Sequence, residues 1–368
     1  LVLFFKKEHF LLLLVFTGHR ANIPAMRLSV LDQSMIVTGR SPAASIRETV
    51  ELARLCDRLG YHRYWVSEHH SSDSVAGSAP EVLLGALAVA TTRIRLGSAG
   101  IMLPHYSSLK VAEQFRVLEA LAPGRIDLGL GRAPGSDGRT AFALNPNAAT
   151  AADYFPAQVR DVMAWVGGTP LLDGHPFRDV RAQPQGPGMP EVWILGSSNY
   201  GAQVAAHFGL PYCFAYFFSE GIGAREALDI YRESYKPSDR HPRPYSAICV
   251  LAMAASTQSD AERLYIPREV WRAERERGRF VPLPSAAEAA GYVFTDAEKR
   301  RNDALRPRAL YGTPDIVRSR MAAVAGDLGV DEVAVVTATH DAEDRRRSYA
   351  LIADAFGLGA EPAVLAAD

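Results

Sequence analysis

From Met26 onward, short apolar runs alternate with windows in which apolar positions recur every three or four residues, the pattern of buried strands between amphipathic helices. The spacing predicts strands over residues 27–31, 64–66, 94–102, 126–131, 192–195, 212–217, 247–254 and 332–337. Helices are predicted over residues 45–59, 80–90, 108–121, 154–165, 200–208, 225–235 and 341–356. A further helix opens at Thr313-Pro314, where a hydroxyl N-cap precedes proline at the first helical position. In helix 45–59, Ile46, Val50, Ala53 and Leu59 are the recurring apolar positions, and Gly60 supplies the stop. Residues 260–307 break the alternation with a charged, insertion-like stretch that contains Trp271, Arg272, Arg275 and Arg277, a composition expected of a solvated helix face.

Eight strands alternating with helices favour an α/β fold of the (β/α)8 barrel type over an open doubly wound sheet, with an insertion between the seventh and eighth strands. The unusual residues favour the same choice. Glu68-His69-His70, residues 97–104, residues 131–137 and residues 196–199 each follow a strand directly, which in a barrel gathers them on one rim. No G-x-G-x-x-G follows the first strand, so a dinucleotide fingerprint is missing where it would be needed. No linker rich in Pro, Gly or Ser divides residues 26–368, which are expected to form a single domain. Residues 1–25 differ in kind: Lys6 and Lys7 precede an apolar run, FLLLLVF, too short to span a bilayer and followed by no A-x-A cleavage site. They are expected to be a leader outside the native fold, which would start at Met26.

Charge narrows the partners. The 40 Lys and Arg against 41 Asp and Glu are interleaved, so there is no electrostatic reason to expect nucleic acid or an anionic membrane. Cys56, Cys213 and Cys249 stand far apart among apolar or helical neighbours and read as buried thiols, not as a zinc site or a disulfide framework. Glu68, His69 and His70 are contiguous, not four apart on a helix, and no other cluster has metal-ligand spacing, so no metal is expected. A G-x-S-x-G elbow is lacking, and none of Lys110, Lys236 and Lys299 ends a strand, which argues against serine hydrolysis and Schiff-base chemistry.

The stretch YWVSEHH puts ionisable groups where a buried strand surfaces. Successive strand residues point to opposite faces, so His69 and His70 share a pocket only if the strand has already ended. The pair reads either as a catalytic element or as a satisfied hydrogen-bonding corner. Gly196-Ser197-Ser198-Asn199, at the mouth of a helix, has the composition of an anion cradle, or of an ordinary cap made by Ser198 or Asn199. Arg132, at the end of the preceding strand, would supply counter-charge, and together they point to a phosphate site. Gly97-Ser98-Ala99-Gly100 runs into an apolar lip ending in His105 and Tyr106; its small residues leave room for a flat ligand or serve close packing. The aromatic set Tyr212, Phe214, Tyr216, Phe217 and Phe218 reads as core sooner than as a cofactor box.

Taken in order, these motifs resemble those of the bacterial luciferase-like flavin monooxygenases, over residues 26 to about 356. The SEHH strand end resembles that family's Glu-His-His, GSAGIMLP its third-strand signature, GRID with Gly131-Arg132 its fourth, and Gly196-Ser197-Ser198 its phosphate-binding turn. The opening RLSVLDQS and the segment GRAPGSD are similar to a subgroup with tailoring oxygenases of aromatic polyketide biosynthesis, although Met35 stands where that subgroup usually has proline. The resemblance implies a TIM barrel that takes FMN as FMNH2, its ring over a cis peptide at Ala99-Gly100 and its phosphate between Arg132 and the Gly196-Ser197-Ser198 turn. It maps the catalytic histidine onto His69, as general base or hydrogen-bond partner, with Glu68 and His70 as its neighbours. The implied activity is that of a cytoplasmic two-component monooxygenase, homodimeric in the manner of many relatives. A separate flavin reductase supplies FMNH2, and O2 is activated to oxidise an apolar or aromatic small molecule. Alternatives are a deazaflavin (F420)-dependent reductase or dehydrogenase of the same superfamily, a non-catalytic flavin-binding relative, and a phosphosugar-binding barrel without flavin.

Overall fold

Strand residues are buried on both faces of the sheet, and the two faces bury against different things. The computed structural model describes residues 26–359; the expected leader, residues 1–25, lies outside them. Strands β1 (Arg27–Asp32), β2 (Arg63–Val66), β3 (Arg95–Met102), β4 (Ile126–Gly131), β5 (Glu191–Gly196), β6 (Tyr212–Phe214) and β7 (Ser246–Ala254) follow in chain order. A short β8 (Leu310–Gly312) and then β9 (Glu332–Val336) complete the set. All pairings among them are parallel. Neighbours run β1 to β6 in sequence, β6 pairs with β7, β7 with β9 and β9 with β1, which closes an eight-stranded barrel. The predicted (β/α)8 architecture is therefore the observed one.

Helices α1 (Pro42–Leu59), α2 (Pro80–Ala90) and α3 (Ser108–Leu121) cross between the early strands. Ser41 caps α1 through its side chain, with Pro42 at the first position, and Gly60 closes it in the left-handed region at φ 84°. The Ala-rich connection before α6 (Phe155–Gly167) is not bare loop but holds two short helices, α4 (Gly138–Leu144) and α5 (Ala148–Asp153). Next come α7 (Asn199–Phe208), α8 (Ala224–Glu233), α9 (Gln258–Glu276), α10 (Ala286–Ala290), α11 (Asp296–Leu305), α12 (Pro314–Leu328) and α13 (Ala342–Phe356). Leu28, Val30, Tyr64, Val66, Leu128 and Leu130 face outward and join the core under these helices. Leu31, Trp65, Trp193, Cys213, Cys249 and Ala334 face inward and fill the barrel. The three cysteines are buried and unpaired, as expected.

Three sequence expectations are corrected. Residues 212–217 are not one strand: β6 stops at Phe214, and Tyr216–Phe218 turns into a 3-10 helix at the rim. β8 escaped notice because three residues carry no periodicity; it pairs only with the last turn of β7, outside the barrel closure. The charged stretch at 260–307 is not a solvated face throughout. Trp271 and Arg272 are each 8% exposed and Arg268 5%, because α9 packs on β7, β8 and α10; the helix is exposed near its start, at Glu262 and Arg263, and again from Arg275.

The N-terminal end of the barrel is plugged by charge. Arg63 reaches Asp127 at 2.9 Å, Glu191 at 2.7 Å and Glu332 at 3.1 Å. Trp65 Nε1 donates to Asp127 and Trp193 Nε1 to Glu191, each at 3.0 Å. Their rings meet edge to face at 5.1 Å, and Arg63 lies 4.7 Å from the Trp193 ring. Glu191 is held well below the usual carboxylate range, at about 2, by the Arg63 and Arg95 charges working against burial. Among the described residues no helix is long and apolar enough to cross a membrane.

Candidate active site

At the opposite, C-terminal rim, the strand ends open into a cavity of about 360 Å³. Of the candidate catalytic and flavin-binding residues, Glu68, His69, Ala99, Gly100, Arg132 and the Gly196-Ser197-Ser198 turn line it, and His70 does not. A β-bulge at Gly100 shifts the register of β3 against β4 between Ala99 and Ile101, which delivers Ala99 to the cavity wall. The Ala99-Gly100 peptide is cis. β3 and β4 can approach this closely because Gly129 has no side chain: a Cβ there would lie 2.2 Å from the Ser98 carbonyl oxygen and 2.8 Å from Leu195 Cδ1. Small residues here serve strand packing first and the shape of the pocket second.

β2 ends at Val66, so the alternation rule no longer separates the two histidines. His69 lines both the inner cavity and an adjoining rim chamber of about 310 Å³, whereas His70 lines only the chamber. Their backbone N–H groups donate to Gly77 (2.8 Å) and Gly135 (3.3 Å) carbonyls. Gly135, at φ 61°, is needed where a Cβ would sit 3.0 Å from the Glu68 carbonyl oxygen. Ser67 Oγ and His69 Nδ1 are 3.1 Å apart. Glu68, 1% exposed, accepts from Met102 N–H at 3.0 Å and Tyr106 O–H at 2.8 Å, and His70 Nε2 lies 2.8 Å from it. The corner is thus satisfied around Glu68 and His70, while the His69 ring is left facing the cavity. Burial first, and the Arg275 charge second, push the His69 imidazole down to about 4, against a smaller opposing pull from Glu68 and a further push from His70. The ring is neutral at pH 7 and offers one N–H and one lone pair.

At the far end of the cavity, α7 begins at Asn199, directly after Ser197 and Ser198. Neither alternative cap is made: Ser198 sits at the N-cap position without a side-chain hydrogen bond to the helix, and Asn199 Nδ2 donates instead to Glu226 at 2.7 Å. The Arg132 guanidinium stacks 3.9 Å above the Tyr200 ring, at the mouth of the same helix. Exposed serine hydroxyls, helix N–H groups and a cation therefore converge at one end. Between the ends the wall is apolar, built from Leu31, Trp65, Leu195, Phe217, Cys213 and Cys249. Burial pushes both thiols up, so they act as small apolar side chains. Of the aromatic set, Tyr212 and Phe214 are core, as expected, but Phe217 and Phe218 line the cavity.

His105 does not reach the cavity; its Nε2 lies 2.8 Å from the Pro134 carbonyl. Sequence reasoning missed Gln33, at the seam of cavity and chamber, Tyr106 as a partner of Glu68, and Arg275 on α9. No local pattern marks them, since each meets the site through tertiary packing alone. Among the described residues no three His, Cys, Asp or Glu side chains gather into a metal-ligating group.

A family model described as luciferase-like monooxygenase matches residues 26–332. A luciferase-like monooxygenase of Escherichia coli (strain K12) is 38% identical over 327 residues, covering 89% of this chain and 96% of its own. An N-acetyl-S-alkylcysteine monooxygenase of Bacillus subtilis (strain 168) is 37% identical over 334 residues, covering 90% and 98%. The solved structure of apo-MsnO8 superposes with a TM-score of 0.81 at 38% identity, covering 91% of this chain and 99% of that one. Two more distant structures share the fold. One is the oxygenating constituent of 3,6-diketocamphane monooxygenase from Pseudomonas putida, in complex with FMN, at 19% identity, TM-score 0.66 and coverage of 90% and 98%. The other is an F420-dependent secondary alcohol dehydrogenase, at 14%, 0.64, and 90% and 99%.

Proposed function

The chain belongs to the luciferase-like monooxygenase family, and from that premise we propose that it is a two-component monooxygenase that uses FMNH2 and O2 to oxidise an apolar or aromatic organic substrate. One observation carries the proposal: a cavity apolar along its length, with a phosphate-type cradle at one end and a neutral histidine on its wall. That arrangement fits a flat ring system with a phosphorylated tail. Arg132, Ser197, Ser198 and the N–H groups of α7 would hold the phosphate, and Ala99-Gly100 would lie beside the ring. When bound, the reduced flavin supplies the two electrons that activate O2, so that one oxygen atom enters the substrate and the other leaves as water.

The apolar wall excludes water from the reacting end, which strengthens every polar contact made there. His69 is held neutral at pH 7 and is a weak base, so the role proposed for it first is that of a neutral hydrogen-bond partner, holding its proton at one ring nitrogen and accepting at the other. The general-base role is the alternative, with the unprotonated ring nitrogen as acceptor. Glu68, with Tyr106 and His70, fixes the strand end from which His69 projects. FMN is preferred to F420 because the Escherichia coli and Bacillus subtilis relatives at 38% and 37% identity are named as monooxygenases, whereas the F420 enzyme matches in fold at 14%. A separate reductase is proposed as the source of reduced flavin.

The test is O2 uptake by the protein supplied with FMNH2 from a reductase, with a thioether and an aromatic substrate panel. Substrate-dependent uptake is expected, and His69→Ala should abolish it while still binding FMN. Normal turnover by His69→Ala refutes the role of His69. Hydride transfer with F420 and no oxygen chemistry with FMNH2 refutes the cofactor.

A further inference from the structure

Helix α9 carries arginines at 268, 272 and 275, four and three residues apart and hence on one face. Arg268 and Arg272 are buried, at 5% and 8% exposure, yet among the described residues Nε and Nη1 of Arg268 and Nη1 of Arg272 find no hydrogen-bond partner. Burial and the neighbouring Arg272 charge pull the Arg268 guanidinium down to about 10. Arg275 follows one turn later, where the face reaches the rim chamber, with its guanidinium 5.9 Å from the Trp271 ring and 5.6 Å from the Phe218 ring.

The nearby carboxylates are already committed. Glu269 pairs with Arg306 at 2.8 Å, Glu274 receives Arg279 and Tyr292, and Glu276 meets Arg301 at 3.0 Å. Arg272 Nη2 donates to Asn302 Oδ1 at 3.3 Å, and among the described residues the one carboxylate facing this set is Glu220, 3.6 Å from Arg272 Nη1 and outside hydrogen-bonding range, while Arg275 has no carboxylate partner. Three guanidinium groups against one carboxylate leave surplus positive charge along this face, with Arg275 at the chamber wall and the other two behind it, which costs free energy unless an anion complements it. Asp137 also lines the chamber, but its carboxylate is turned to the start of α4, where it accepts from Arg139 N–H at 2.8 Å and from Thr140. The rest of the wall includes Ser71, Ser72, Ser74 and Ser136. Because His69, Gln33, Gly135 and Phe218 belong to both spaces, a molecule anchored at Arg275 extends directly to the inner cavity.

We propose that the rim chamber selects substrates bearing a carboxylate, which docks on Arg275 and leaves the oxidisable end of the molecule at His69. Calling that molecule a substrate rests on the flavin reading of the inner cavity; its binding does not. Arg275 is the residue that determines specificity, and Arg272 and Arg268 extend the positive field behind it.

The test is calorimetry on flavin-free protein with 3-phenylpropanoate and its uncharged amide as probes. The acid should bind at least about tenfold more tightly than the amide, the difference a charge-assisted hydrogen bond confers, and should weaken with added salt. Arg275→Met should bring the acid to the level of the amide, and Arg275→Lys should restore part of the preference, with FMN affinity unchanged in both. Equal behaviour of acid and amide, including binding of neither, overturns the proposal, as does a preference that survives Arg275→Met. Failure of the wild-type protein to bind FMN would instead count against the reading of the inner cavity.

Discussion

Acidification should cost this protein stability through the His69 ring, and the size of the loss follows from the site. The folded ring titrates near 4, against 6.5 for a free imidazole, because burial and Arg275, with a smaller push from His70, outweigh the attraction of Glu68. Between those two values the unfolded chain binds a proton that the folded chain refuses, so stability falls as pH falls through the window and is flat above it. Integrating the linkage for this one group from pH 7 to pH 5 gives a loss of about 2 kcal/mol. The measurement is urea unfolding at pH 7, 6 and 5 for the wild type and for His69→Gln, which cannot titrate. The gap between the two proteins should narrow or reverse toward pH 5 by about that amount, with the urea dependence unchanged. A gap constant to within about 0.5 kcal/mol would show that the ring is not held neutral, and the hydrogen-bond role proposed for it would fall as well.

Two other outcomes are expected. Arg132→Ala should weaken FMN about tenfold, since the guanidinium is exposed and partly screened, and leave riboflavin, which lacks the phosphate, unchanged in a fluorescence titration; equal losses for the two ligands would remove Arg132 from the cradle. Gly129→Ala should cost about 3 kcal/mol or more in thermal or urea unfolding, because its Cβ would meet backbone oxygen rather than a movable side chain; a fully stable variant would contradict the close approach of β3 and β4.

Much of the barrel was legible because strands buried on both faces read as continuous apolar runs, and the helices between them carried starts such as Thr313-Pro314 and stops such as Gly60. The strand-end groups were legible for the same reason, since ionisable or glycine-rich residues directly after an apolar run have to surface. What escaped was whatever depends on distant packing. Arg268 and Arg272 look like solvated charges until α9 is laid over the barrel mouth, and Tyr106 looks like a loop residue until its hydroxyl meets Glu68 at 2.8 Å. The shift in His69 belongs to this class too, since its second cause, Arg275, lies about two hundred residues along the chain.

The plugged floor has a consequence for traffic. With Arg63 tied to three carboxylates and the Trp65 and Trp193 rings wedged above it, nothing passes along the barrel axis, and every molecule that reaches the cavity must enter and leave by one end. A donor delivering reduced flavin and a substrate seeking the rim chamber would then queue at a single doorway. On the proposed two-component reading, a reductase docked over that doorway would keep substrate out, so delivery and oxidation would alternate in time, and a brief encounter would suit that partner better than a standing complex.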